Sequence, residues 1–139
     1  GDDAKTDAAH RGDAFTVGDV GRVDDDGFLY LCGRSADVVI TAGVNVYPAE
    51  VEQALADVPG LVDMCAVGVA DAERGEVLAL YIVLAANADP ESVRSDLADA
   101  AEQRLAPYKR PRSVVVVPEV PRDETGKLLR RVLRDRAGS

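Results

Sequence analysis

One lysine in this sequence stands where it could do chemistry. In PRDETGKLLRRVLRD (121–135), Lys127 lies between a Gly-containing turn and a strongly basic stretch. An ammonium on a flexible four-carbon stem can neutralise a phosphate or carboxylate oxygen, or it can simply be solvated. Solvation is the ordinary state of a single lysine, so the rest of the chain must decide. The other reactive types are sparse. Cys32 and Cys65 lie on apolar segments with no metal-ligand spacing, and the single histidine, His10, lies in a polar leader, so no metal site is expected. No G-x-x-x-x-G-K-[ST] or G-x-G-x-x-G loop is present to cradle a nucleotide phosphate.

Charge narrows the chemistry. The net charge is −9, but from Arg104 to the end ten Lys/Arg stand against four Asp/Glu, while residues 1–103 hold six against twenty-one. The acidic body would repel a nucleic-acid backbone, and in the basic part only Tyr108 is near enough to stack on bases, so no nucleic-acid partner is expected. A compact anion such as a nucleotide phosphate suits this distribution better than a long polyanion.

The elements that must position these residues follow from pattern. At 139 residues with 47% apolar content, the chain suits one soluble domain with a real core. The longest clear apolar run, 114–117, is strand-length, so no transmembrane segment is expected. The acidic start is neither a signal nor a transit peptide, and two thiols on apolar segments suit a reducing cytoplasm. Residues 1–14 read as a leader. VGRV (20–23) and FLYLCG (28–33) around DDDG read as a β-hairpin, within a segment 15–35. VVIT (38–41) reads as a strand and AGVN (42–45) as a loop. YPAEVEQALADVPG (47–60) reads as a helix with Val51, Ala54, Leu55 and Val58 on its buried face. Two strands over 62–71 and 77–86 precede a helix capped by Asp89. A strand over 113–120 and a final helix from ETGKLLRRVLRD follow, with Leu128, Leu129, Val132 and Leu133 inward and the arginines outward. The fold class is α+β: an N-terminal β-hairpin, then a small mixed or antiparallel sheet packed with about three helices, spanning 36–136 before a short tail.

With these elements in place, VGDVGRVDDDGFLYLCGRSADVVITAGVNVYPAEVEQAL (17–55), AVGVADAERGE (66–76), LAPYKRPRSV (105–114) and PRDETGKLLRR (121–131) together resemble the C-terminal lid domain of adenylate-forming enzymes, acyl-CoA synthetases above all. The resemblance covers about residues 15–136, nearly the whole chain. It implies a two-step acid–thiol ligase with ATP and CoA as substrates and Mg2+ accompanying ATP. It also implies a partner, the family's large N-terminal adenylation domain, whose acyl pocket and phosphate loop are not in this sequence; alone, the chain is not expected to catalyse the full reaction. By their places in the motifs, Lys127 is the lysine of the adenylation step, Asp19 holds the ATP ribose hydroxyls and Arg34 reaches the nucleotide. Gly43 lines the pantetheine tunnel, and Arg74, Tyr108, Arg110 and Arg112 fall where the family contacts CoA. Asn45, Tyr47 and Glu50 match an N-x-Y-P-x-E signature read as structural.

The chain departs from the family pattern at several points. The hinge position, usually Asp or Lys, is Ala36, with Asp37 next. Val17 replaces a threonine, Ala42 replaces a glycine, and Arg74 stands where many members carry tryptophan. These bear on CoA binding and domain switching more than on adenylation. Two other readings stand beside the leading one: the lid of an acyl-AMP ligase or peptide-synthetase adenylation domain, and a stand-alone binding module. VYPAEVE and YKRP resemble the CoA ligases more.

Overall fold

The computed structural model describes residues 10, 11, 14, 15 and 18–138, without the side chains of the first four and of Cys32. The leader at 1–14, apart from one short strand pair, the substitution at Val17 and the expected burial of Cys32 lie outside the described residues. The chain divides into two compact units, Gly1–Ala36 and Asp37–Ser139.

In the first unit, β1 (His10–Arg11) pairs antiparallel with β2 (Ala14–Phe15), and β3 (Asp19–Val23) with β4 (Leu29–Arg34). The second pair is the expected hairpin. Its turn is built by Asp24, whose carboxylate accepts the N–H groups of Asp26 at 3.0 Å and Phe28 at 2.9 Å. Gly27, at φ 85°, supplies the left-handed step that closes it. A short 3-10 turn, Ser35–Asp37, leads out of the hairpin.

The second unit holds β5 (Val39–Thr41), β6 (Val44–Val46), α1 (Pro48–Leu55), β7 (Leu61–Asp71), β8 (Gly75–Leu84), α2 (Pro90–Arg104), β9 (Ser113–Val116) and α3 (Arg130–Ala137). Strands run in the order β6-β5-β8-β7, all antiparallel, and β9 lies parallel beside β8. This mixed sheet with three helices among the described residues is the α+β class read from the sequence.

Both faces of the β7–β8 ribbon are covered, which is why its strands read as continuous apolar runs. Met64, Ala66, Leu78, Leu80 and Ile82 face α1 and α2, meeting Val51, Leu55, Val93 and Leu97. Their alternate neighbours Cys65, Val67, Ala79 and Tyr81 face Leu133 of α3 and Val120. α2 starts as expected: Asp89 accepts the N–H of Ser92 at 2.9 Å, with Pro90 in the first turn.

Several expectations need correction. The supposed loop 42–45 is a two-residue turn followed by β6. Helix α1 ends at Leu55 rather than near 60; Pro59 disfavours helical geometry at Val58, and the chain closes in successive turns from Leu55 to Val58 to Leu61. The strand after α2 stops at Val116. The last helix begins at Arg130, because Gly126 at φ 84° and an extended bridge between Arg122 and Leu128 turn the preceding residues back on themselves. In it Leu133 is fully buried, whereas Leu129 and Val132 are exposed.

Candidate functional site

Lys127 sits at the end of a tight turn that repeats the Asp24 design. The Asp123 carboxylate accepts the Thr125 hydroxyl at 2.6 Å, the Thr125 N–H at 2.9 Å and the Lys127 N–H at 3.0 Å. The Asp123 N–H donates to the Lys127 carbonyl at 2.9 Å. The Thr125 hydroxyl first, and the Lys127 N–H next, hold the Asp123 carboxyl below its ordinary range, so it stays ionised. The Arg122 guanidinium braces the turn, donating to the Gly126 carbonyl at 2.8 Å and, through Nη2, to both Asp63 oxygens at 2.8 and 3.0 Å. The Lys127 side chain is exposed, and among the described residues its ammonium makes no hydrogen bond.

Three residues on stands a group that the sequence reading placed wrongly. Arg130 does not face solvent: its side chain is only 10% exposed. It forms a bidentate pair with Glu52 of α1, donating through Nη1 to Oε1 and through Nη2 to Oε2 at 2.9 Å. Nη1 also reaches the Ala66 carbonyl at 3.2 Å and Cys65 Sγ at 3.3 Å, and Nε lies 3.6 Å from Asp37 Oδ2. Glu52 in turn accepts the Ala66 N–H at 2.7 Å. Burial opposes the charge on Arg130, but the hydrogen bond and charge of Glu52 overcome it and raise its pKa further. Burial pushes the neighbouring Cys65 thiol up to about 11, making it an inert buried thiol, as expected for this cysteine. Glu52 had a signal in the sequence: it follows Val51 at the edge of the buried stripe. Its role was hidden because a helix-start glutamate already has a sufficient explanation in the helix dipole. Arg131 does face solvent, as expected, with its side chain 92% exposed.

Of the nucleotide candidates, the structure brings two together. Asp19 and Arg34 are cross-strand partners at the open end of the β3–β4 hairpin, and the guanidinium Nε lies 3.8 Å from the Asp19 carboxylate. Both are partly exposed, so they can accept a ligand without first breaking a buried pair. The hinge candidates Ala36 and Asp37 fall on the boundary between the two units.

The CoA candidates gather at one end of the sheet. Ala42 and Gly43 are the two central residues of the β5–β6 turn, at φ 49° and 81°, the positive pair that a type I′ turn demands. An alanine in that region costs on the order of 1 kcal/mol, so the methyl added at Ala42 strains the turn. The Ala42 N–H donates to the Arg74 carbonyl at 2.8 Å, which sets Arg74 beside Gly43. Strand β6 packs against the 3-10 turn Pro107–Lys109 that carries Tyr108. Arg112 donates its N–H to the Leu78 carbonyl at 2.7 Å, just before β9. Arg110 has a further employment: its Nε and Nη2 donate to the carbonyls of Leu105 and Glu102, each at 3.1 Å, closing the C-terminus of α2.

Lys127 is not among this group. Its turn is tied to Asp63, near the start of β7, whereas Arg74 and Gly43 lie at the far end, where Asp71 meets Gly75. Eight residues of strand separate Asp63 from Asp71, roughly 26 Å.

Comparison with known proteins identifies the family. A family model described as the AMP-binding enzyme C-terminal domain matches residues 50–127. Acyl-coenzyme A synthetase ACSM4, mitochondrial, of Rattus norvegicus is 44% identical over 134 residues, covering 94% of this chain and 23% of that protein. Long-chain-fatty-acid–CoA ligase FadD13 of Mycobacterium tuberculosis is 39% identical over 121 residues, covering 87% of this chain and 24% of that protein. The solved anthranilate CoA ligase AuaEII, in complex with anthranoyl-AMP, matches with a TM-score of 0.88 at 33% identity, over 96% of this chain and 26% of that one. The chain thus spans about a quarter of the length of the relatives it matches. With more than half of its residues in the family match and its fold shared along nearly all of its length, the chain belongs to the C-terminal domain family of the AMP-binding enzymes, the adenylate-forming acyl-CoA ligases.

Proposed function

We propose that this chain is the mobile lid of an ATP-dependent fatty-acyl-CoA synthetase, working against its own large N-terminal adenylation domain in the cytoplasm. The observation that carries the reading is the placement of two tools at opposite ends of β7. A single reaction centre in the partner domain can meet the Lys127 turn or the Gly43–Arg74 end, but not both at once. Exposed apolar side chains on the β3–β4 hairpin, Phe28, Leu29 and Leu31 among them, support a further body that covers them.

In the first step a carboxylate oxygen attacks the α-phosphorus of ATP, the bond to pyrophosphate breaks, and acyl-adenylate forms. Negative charge concentrates on the entering carboxylate and the phosphoryl oxygens. Lys127, exposed at a braced turn, is the cation that bridges them; it acts as an electrostatic clamp and gives up no proton. Asp19 accepts the ribose hydroxyls and Arg34 lies beside it toward the nucleotide. Mg2+ accompanies the ATP phosphates. In the second step the lid has turned: the CoA sulfur attacks the acyl carbon and the bond to AMP breaks. Gly43, without a Cβ, lets the thiol arm pass, and Arg74, Tyr108 and Arg112 meet the CoA nucleotide. Arg110 holds the end of α2 that supports this loop.

The test is AMP release by the whole enzyme that carries this domain, given a fatty acid, ATP and Mg2+, with and without CoA. The expected result is AMP formation that depends on CoA and matches acyl-CoA formed. Acyl-adenylate that stays bound in the presence of CoA and is released only by a carrier protein would overturn the CoA assignment.

A further inference from the structure

Lys127 and Asp37 are ninety residues apart in the chain, yet one side chain joins their segments. Arg130 opens α3 three residues after the lysine, and its guanidinium spans Glu52 of α1 and Asp37, the first residue beyond the boundary between the units. The two ends of the sheet take their positions from that boundary by different routes. Gly43 follows Asp37 by six residues along continuous strand β5, so backbone alone carries any rotation there to the CoA end. The Lys127 turn has no such covalent path. It is held by Arg122 on Asp63, by Leu133 in the core beneath α3, and by Arg130. Only Arg130 among these reaches the residue next to the boundary.

We propose that Arg130 is a positioning residue for adenylation: through Asp37 it locks the Lys127 turn to the pivot, so that rotation delivers the ammonium to one fixed place. This rests on the reading above of Lys127 as the adenylation lysine and of Ala36–Asp37 as the pivot. A guanidinium suits the task because its planar fork engages Glu52 with both Nη atoms while Nε stays within ion-pair distance of Asp37, at 3.6 Å; a lysine could not do both. The Asp37 leg is the separable one. It is longer, at 3.6 Å, and its carboxylate is a third exposed, while the Glu52 leg is buried.

The deciding variant is therefore Asp37→Asn in the whole enzyme, which keeps the Glu52–Arg130 pair. Three quantities are measured: ATP–pyrophosphate exchange, thioester formation from supplied acyl-adenylate, and the thermal midpoint. The expected result is a roughly tenfold lower exchange kcat, with KM for ATP, thioester formation and the midpoint little changed, because a small misplacement of Lys127 penalises only the step that uses it. Asp37→Glu should restore exchange. Unchanged exchange in Asp37→Asn, or a proportional loss of both half-reactions, would overturn the proposal. Lys127→Ala run alongside separates the two layers. If it abolishes exchange while Asp37→Asn does not lower it, only the Arg130 role fails; if it leaves exchange intact, the Lys127 reading fails and the Arg130 role with it.

Discussion

The turn that presents Lys127 engages its N–H, its carbonyl and the Asp123 carboxylate, and leaves the ammonium in solvent. Gly43 is presented with comparable economy: a Cβ built there would meet nothing within 4 Å. The domain itself therefore has room for a side chain at that point, and only backbone geometry and a ligand can object to one. At φ 81° a bulky residue is strained, whereas asparagine tolerates the left-handed region. Gly43→Leu is expected to cost about 1 kcal/mol of stability and to raise KM for CoA tenfold or more, with pyrophosphate exchange retained. Gly43→Asn, as the control for backbone strain, should keep the stability of the parent. Steady-state kinetics with varied CoA, together with thermal melts, checks both. Loss of exchange in step with CoA turnover would remove Gly43 from the thiol path. Not every candidate was readable at this scale. Lys127, Asp19 and Gly43 became candidates by motif, but the capping of α2 by Arg110 was not legible, because no local pattern reveals that an arginine six residues past a helix will fold back onto its last carbonyls.

At the scale of elements, α3 shows where pattern reading stopped. Leu128, Leu129, Val132 and Leu133 have helical spacing, and that spacing hid the turn before them. The decisive residues were Asp123 and Gly126, the same D-x-x-G arrangement that had been read correctly at Asp24 and Gly27, where strands flanked it. Helix α2 was legible because its cap and its stripe agree, Asp89 and Pro90 ahead of Val93 and Leu97. Strand β6 was not, since Ala-Gly lacks the Asn-Gly signal of a two-residue turn. Arg130 joins α3 to α1, and its pair with Glu52 is buried enough for a clear energetic prediction. Arg130→Ala leaves a carboxylate without its partner and is expected to lower stability by about 3 kcal/mol. The paired replacement Glu52→Gln with Arg130→Met should lose less than the two single changes combined, as chemical denaturation of all four proteins would show. Strict additivity would mean that the two side chains do not act as a unit.

At the scale of the molecule, the β7–β8 ribbon is a plate buried on both faces, with one group of candidate residues toward each end. The acidic body and the basic end separate along the chain: the cations concentrate from Arg104 onward, where Tyr108, Arg110, Arg112 and Lys127 lie, while Gly43 and Arg74 belong to the acidic part. The fold class and the family were legible because four motifs occur in order along most of the chain. The distance between the two ends was not legible, since it depends on strand length and register rather than on residue identity. Over that distance one reaction centre cannot use both ends at once, so Lys127→Ala in the whole enzyme should separate the two half-reactions. Both half-reactions are timed on the same preparation, exchange of pyrophosphate into ATP and thioester formation from supplied acyl-adenylate. Loss of the clamp should slow adenylation by roughly 10²–10³-fold and leave thioester formation within a few-fold of the parent. Equal slowing of the two would mean that Lys127 does not serve adenylation alone.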